Sequence, residues 1–469
     1  MLIIISFSIF MLMFTVVGLL SARRTGDTRD YLLAGQNVRP WLVALSAVAT
    51  NNSGYMFIGV VGYTYVFGLS SLWIPTGIIL GDFLMSLFIH KKLRVMTEHQ
   101  EALSFPEVLS KWGGTNYRLL RRLAAIIIVL FLGAYAAAQL NAGSKALHAL
   151  FGWDYRIGTL TGALIVLLYC SFGGIRASIW TDALQSFIMI AAMGVLFFSA
   201  VAHVGGIGQY WAQLHQISEN YMNLWPSDHI LGGFWGSFLF ILGYIFVGLG
   251  VIGQPQIMIR FMSMQRPADI GRVRFYYYAW FVFFSALTIG TALGARLLIP
   301  EGSIFDAELA LPLLSKSLLS EFCVGLVLAG LFASTMSTAD SQILSCSASL
   351  TRDIQESWSR SARFARFSTL MVSLIALGIA LARFESVFSL VILAWSALAA
   401  AFGPLLLVYS LGQKVSEKTA LWMLMAGLAT VLAWKWARLD QIIVEIVPGA
   451  VAGLAIFMLS QWRPEKKPS

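Results

Sequence analysis

The stretch Ser334-Thr335-Met336-Ser337-Thr338-Ala339-Asp340-Ser341-Gln342 decides the reading of this chain. Seven of its nine residues are polar or charged, yet Phe322–Leu331 before it and Ile343–Leu350 after it read as membrane helix. An aspartate in the hydrocarbon region costs about 2.5–3.5 kcal/mol on insertion scales, so such a cluster marks a functional site by default. Hydroxyl and carboxylate oxygens are the ligands of a small, hard cation, and no soft ligand for a transition metal accompanies them. A cation site inside a membrane protein is the first implication.

The rest of the chain is built to match. Hydrophobic residues make up 58% and charged residues 12% of 469, with a mean hydropathy of +0.76. These values lie well outside the range of soluble domains. The spacing of apolar windows, each about 20 residues and enough for a ~30 Å hydrocarbon layer, predicts thirteen spans. They lie near 2–20, 40–67, 71–89, 123–147, 157–175, 183–204, 230–259, 275–295, 322–350, 367–382, 387–411, 419–434 and 442–459. The first lacks the basic start and small-residue cleavage site of a signal peptide and reads as a retained helix. Cys170, Cys323 and Cys346 match no metal spacing and suggest no disulfide framework.

The net charge of +9 is a topology signal. With Met1 outside, 25 of the 32 Lys and Arg fall in loops facing the cytoplasm, Arg260 among them. The other side holds seven: Lys145, Arg156, Arg296, Lys316, Arg383, Lys435 and Arg438. The bias predicts an outside N-terminus and a cytoplasmic C-terminus, and it removes the nucleic-acid reading of the basic charge. No obligate protein partner is implied; the partners are the bilayer and a small solute.

Span 2 is interrupted at Thr50-Asn51-Asn52-Ser53-Gly54, and span 7, five spans later, carries Gly248, Gly250 and Gly253 before Gln254-Pro255. Matching interruptions in two halves point to an inverted repeat with broken helices at the bilayer midplane. Asn51 and Asn52 need partners that lipid does not supply. Glycine and proline are also simply common in membrane helices.

The chain resembles the sodium:solute symporters, and within them the branch around the bacterial proline permease. The resemblance rests on Asp30-Tyr31-Leu32-Leu33-Ala34-Gly35, on Ala44-Leu45-Ser46-Ala47 leading to Ser53-Gly54, and on Gly173-Gly174 before Trp180-Thr181-Asp182. It continues through Gly253-Gln254-Pro255 with Arg260-Phe261-Met262, Met336 to Gln342, and Ala401-Phe402-Gly403-Pro404. It implies an all-α membrane protein of the leucine-transporter type: one helix and a basic loop (1–39), two five-helix repeats (40–204 and 205–412) and two final helices (413–469).

Carried over by position, the resemblance implies a sodium site of the Ser337 and Thr338 hydroxyls with the carbonyls of Ala49, Asn52 and Ser334. The two hydroxyls stand about 100° apart on a helix; alternatively they bond back to their own helix. Asp182, Asp340 and Ser341 make a possible second sodium site, or a gate in which a carboxylate pairs with a basic residue such as Arg176. Candidate solute-binding residues by depth are Asn51, Ser53, Tyr55, Tyr135, Gln139, Gly250, Gln254, Trp395 and Ser396. Tyr135 and Trp395 could equally be packing residues. Asp82 matches no motif and reads as an interface or helix-end residue.

Departures from the proline branch are Asn51 where an aspartate is expected, Val247 and Val251 where aromatics are expected, and Gln256 in place of a histidine. They predict a less aromatic pocket and a best ligand other than proline. The implied function is sodium-coupled uptake of an amino-acid- or organic-acid-like solute through the inner membrane, with sodium as the coupling ion and no organic cofactor. Proton coupling is the alternative within transport, raised by Asn51 and by the ionisable pair Asp182 and Asp340. A transporter-like sensor would need a separate signalling partner, since no kinase segment follows. An enzyme is disfavoured because His90, His99, His148, His203, His215 and His229 form no cluster.

Overall fold

The computed structural model describes residues 1–22, 28–226, 231–299, 306–354, 362–382 and 386–462. Every named element among them is a helix, and the one isolated bridge pairs Val38 with Met264. Among the described residues, nine helical stretches are long and apolar enough to cross a membrane. Phe367–Leu381 and Ile446–Trp462 are shorter apolar helices over the windows expected at 367–382 and 442–459. The basic residues Arg23, Arg24, Arg360, Arg383, Arg463, Lys466 and Lys467, and also His229, lie outside the described residues.

Burial sorts these helices into an inside and a rim. The Glu321–Ile354 and Val387–Ser410 windows are each 83% buried, whereas Leu2–Ser21 is 22% buried and turns Ile9, Leu12 and Leu20 outward. An apolar surface on an outer helix is what hydrocarbon accepts. A helix buried all round yet rich in Ser, Thr and Asp, as Glu321–Ala348 is, must satisfy those groups internally.

Both expected breaks occur. Pro40–Asn51 is an α-helix that stops at Asn52, where φ −89° and ψ 39° leave the helical region. A π-helical turn over Tyr55–Val60 then leads into Val61–Phe67. Gly233–Leu249 tightens into a 3₁₀ turn at Gly250–Gly253, becomes extended at Gln254 (φ −98°, ψ 100°), and restarts as Pro255–Met262. Proline at the first helical position supports that restart, because its missing N–H has no helical partner to lose.

Two sequence expectations need correction, and a third is narrowed. Residues 176–182 form no loop: helix runs from Tyr155 to His203 and turns only at Gly174, whose φ of 58° suits a residue without Cβ. Arg260 is not a loop charge but a fully buried residue of Pro255–Met262. A basic residue close to a span end was read as loop because counting charges ignores what faces them. Of the two readings of Asp82, interface or helix end, the second falls away: it lies mid-helix in Trp73–Phe88, fully buried. That helix packs against Gly233–Leu249 at backbone distance, a Cβ at Gly81 colliding with the Ile245 carbonyl, the close approach small residues allow.

Candidate functional site

The break after Asn51 faces the polar stretch of Glu321–Ala348. Ser337 Oγ lies 3.3 Å from the Ala49 carbonyl and 3.1 Å from the Ser334 carbonyl. Thr338 Oγ1 lies 3.0 Å from the Thr50 carbonyl and 3.1 Å from that of Ser334. Each hydroxyl has one hydrogen, so it satisfies one carbonyl at a time. Two hydrogens thus serve three carbonyls, and the hydroxyl oxygens keep lone pairs besides. Asn52 adds a buried Oδ1 without a hydrogen bond, its Nδ2 being spent on Val48 O at 2.9 Å. An acceptor surplus in a dry interior is costly unless a cation uses it. The structure therefore brings together Ala49, Ser334, Ser337 and Thr338, with Thr50 as a further carbonyl, and leaves Asn52 at the adjoining break bonded to Val48.

Asp182, Asp340 and Ser341 are also brought together, but around a side chain. The Arg260 guanidinium pairs with Asp182 Oδ2 at 3.1 Å, both side chains fully buried. It donates to Ser178 Oγ at 2.8 Å, Ser46 Oγ at 3.2 Å, the Gln256 carbonyl at 2.8 Å, and Ser341 Oγ. Ser46 in turn donates to Asp182 at 2.6 Å, and Ser341 lies 2.9 Å from Asp340 Oδ1. Arg176, the basic partner anticipated from the sequence, bonds Asp30 and the Ala34 carbonyl instead.

A central cavity lies between the two breaks. Of the expected solute residues, Asn51, Tyr55, Tyr135 and Trp395 line it, joined by Asn52, Val247, Met56, Ile78, Phe281, Val391 and Ile392. The other candidates stand behind the wall and brace it. Ser53 Oγ is 3.2 Å from Tyr135 OH, Gln139 Oε1 accepts from Gly54 N at 2.9 Å, and Gln254 Nε2 donates to Trp395 O at 3.0 Å. Gly250 packs on Ala399 and Ile446, and Ser396 Oγ is buried without a hydrogen bond. Val251 is buried but does not line the cavity. Tyr135 and Trp395 are wall and packing at once, their rings 6.5 Å apart and edge-on.

Sequence reasoning missed Phe281, Met56 and Ile78, and it missed the cover on one side. Phe388 stacks on Tyr55 at 5.1 Å and on Tyr63 at 5.4 Å. Glu308 holds Phe388 there by accepting from the N–H groups of Phe388 and Val387 at 3.1 and 3.2 Å, and it pairs with buried Lys145 at 2.6 Å. Carboxylates at helix N-termini are a common capping device, but nothing in sequence links positions 308 and 388.

Among the described residues no group of three or more His, Cys, Asp or Glu is arranged to hold a metal. What the fold and site define is a membrane transporter, with two broken helices beside a central cavity. The chain belongs to the sodium:solute symporter family, whose profile matches residues 31–427. Its relatives are transporters rather than enzymes. The osmoregulated proline transporter OpuE of Bacillus subtilis is 31% identical over 99% of this chain and 96% of its own. The high-affinity proline transporter PutP of the same organism is 30% identical over 95% of each. A solved Na+-coupled sialic acid symporter, in a substrate-bound outward-open state, shares the fold at a TM-score of 0.84 and 17% identity, covering 98% and 97% of the two chains.

Proposed function

We propose that this protein carries a small amino or imino acid into the cell by sodium-coupled symport, with one sodium held by Ser337, Thr338 and the carbonyls of Ala49, Asn52 and Ser334. The observation that carries the reading is the surplus of acceptors at that cluster, beside the break that also lines the cavity. Thirteen spans arranged as a 5+5 inverted repeat, with one helix before and two after, fit the paired breaks at Asn52 and Gln254. So do the divisions at 39, 204 and 412. The basic bias of the loops supports an outside N-terminus, a cytoplasmic C-terminus and residence in the cytoplasmic membrane. The proline-transporting relatives support an amino-acid-like solute. The rings of Tyr55, Tyr135, Phe281 and Trp395 offer the faces a compact ring needs, although Val247 stands where an aromatic was expected.

A second sodium at Asp182, Asp340 and Ser341 is the weaker reading, because Arg260 already supplies the positive charge there. One ion suffices energetically. Sodium entering down ~100 mV gains about 2.3 kcal/mol, and a tenfold gradient adds about 1.4 kcal/mol, together enough for roughly 500-fold accumulation. In the alternating-access cycle, sodium ties the Pro40–Asn51 break to Glu321–Ala348. The solute then draws Tyr55 and Phe388 over the cavity, and opening at the opposite end releases both.

Uptake of labelled L-proline, L-alanine and L-leucine into proteoliposomes tests the reading. Uptake should require an inward sodium gradient and persist when the proton gradient is collapsed at constant potential. Uptake indifferent to sodium but following the pH gradient would transfer the coupling to protons.

A further inference from the structure

A cleft of about 780 Å³ lies where the outer helix Leu2–Ala22 ends, and it shares no residue with the central cavity. Segments distant in sequence form it: the end of that helix, the turn before Pro40–Asn51, the helix just past the Gly174 bend, and Gln265. By the basic bias of the loops, this end faces the cytoplasm. The transport cycle above uses none of its side chains.

Two kinds of wall meet in the cleft. Arg39, Arg176 and Asn37 bring N–H donors, whereas Val17 and Leu20 bring hydrocarbon, and among the described residues no Asp or Glu lines it. Arg176 donates through Nε and Nη2 to Asp30 Oδ1 and to the Ala34 carbonyl, which leaves Nη1 without a bond among the described residues. Arg39 is exposed and makes no hydrogen bond or ion pair among the described residues. Asp30 therefore answers one guanidinium and not the other, and the cleft keeps a net positive charge.

The apolar wall continues beyond the cleft. Val16, Leu19 and Leu20 are exposed along the outer helix, a surface suited to hydrocarbon. Trp180, on the cleft wall, is 42% exposed and packs edge-on against Trp41 at 5.9 Å. Tryptophans collect at headgroup level, where an apolar ring with one polar tip meets both media. The guanidinium groups thus stand at the level of the headgroups, with hydrocarbon beginning beside them.

We propose that this cleft binds an anionic phospholipid of the cytoplasmic leaflet, its phosphate held by Arg39 and Arg176 and its acyl chains laid along Leu2–Ala22. Basic pockets between membrane helices on the cytoplasmic side recur as lipid headgroup sites. The planar guanidinium suits phosphate because paired N–H groups match two oxygens. A soluble phosphate would meet the same arginines but make no use of the apolar face that continues from them. Arg39 directly precedes Pro40–Asn51, so the lipid is held at the start of the helix whose break lines the cavity.

Native mass spectrometry of the full-length protein in detergent tests this, with equal amounts of dioleoyl-phosphatidylglycerol and dioleoyl-phosphatidylcholine offered together. The two lipids share their acyl chains, so the ratio of bound forms reads the headgroup. The wild type should retain phosphatidylglycerol about tenfold over phosphatidylcholine. Arg39→Gln should lower that ratio about fivefold, the factor that ~1 kcal/mol for one arginine near a membrane surface represents. Arg39→Lys keeps the charge and should keep most of the ratio. Arg122→Gln removes an exposed arginine of Arg118–Phe151 outside the cleft and should leave the ratio unchanged. Excess inorganic phosphate should not displace the lipid.

Equal retention of the two lipids, or an unchanged ratio in Arg39→Gln, would overturn the proposal. Equal losses in Arg39→Gln and Arg122→Gln would overturn it in favour of diffuse surface charge. Displacement by inorganic phosphate would overturn it in favour of a soluble anion. Arg39 bonds to no other described residue, so its replacement should leave the fold intact, and none of these readings depends on which ion drives transport.

Discussion

Two oxygen-rich clusters share the helix Glu321–Ala348, barely a turn apart, and they solve the same problem differently. At Ser337 and Thr338 all the groups are neutral, and acceptors outnumber hydrogens. At Asp340 and Ser341 the groups include carboxylates, and Arg260 reaches in to pair with Asp182 and to bond Ser341. A tethered guanidinium stays put through a cycle, whereas a cation held only by hydroxyls and carbonyls can leave. Under the proposed sodium site, the difference separates a structural charge from a transported one, and it rests on which cluster the chain itself completes.

The most damaging way to probe this contrast is to remove the tethered cation. Arg260→Met leaves Asp182 buried without its partner, a situation that typically costs 3–5 kcal/mol. The variant should lose most of its folded yield and thermal stability in detergent. Adding Asp182→Asn should recover most of both, and no recovery would mean that Arg260 serves something other than this carboxylate.

Thr338→Ala addresses the other cluster and should do less to folding and more to the ion. Hydrogen bonds or ligands to a charged group are worth about 1.5–3 kcal/mol, so sodium affinity should fall on the order of ten- to a hundredfold while the protein stays folded. Sodium titration of uptake reads this directly, and an unchanged half-saturation would remove the site.

The smallest effect belongs to a charge cluster near a helix end. Burial alone would raise the carboxyl of Glu107, but Arg121 and Lys111 reverse that and hold it below its ordinary 4.5. Its folded-state value is depressed, so its stabilisation is present above about pH 4.5 and fades as the pH falls through the lower, folded-state value. Glu107→Gln should cost about 1 kcal/mol at pH 7 and flatten the acid limb of stability. A full acid limb in the variant would show that other carboxylates carry it. Because Lys111 at its edge is 25% exposed, whereas Arg260 and Asp182 are fully buried, its loss should be milder than that of Arg260.

What could be read from the residues alone was whatever has a local signature. Polar residues inside an apolar window are visible one at a time, so Ser337, Thr338, Asn51 and both helix breaks were legible, as were the four cavity residues Asn51, Tyr55, Tyr135 and Trp395. Pairings were not. Arg260 looked like a loop charge because its partners Asp182 and Ser46 lie 78 and 214 residues away in sequence. Tyr277 is one of three consecutive tyrosines, and only packing turns it inward at 1% exposed while Tyr276 remains 43% exposed. Glu308 caps a helix that begins about 80 residues later. Val251 had the right depth but the wrong face, since a 3₁₀ turn rotates side chains by a different angle than an α-helix.

The sequence by itself determined that this chain spans a membrane, breaks two helices and places hydroxyls where a hard cation would be held, because insertion cost and helix chemistry act residue by residue. Tertiary structure alone decided which buried charge belongs to Arg260 and which rings line the cavity. Those outcomes depend on distances between segments far apart in the chain, and in a low-dielectric interior a few ångströms decide whether a charge is paired.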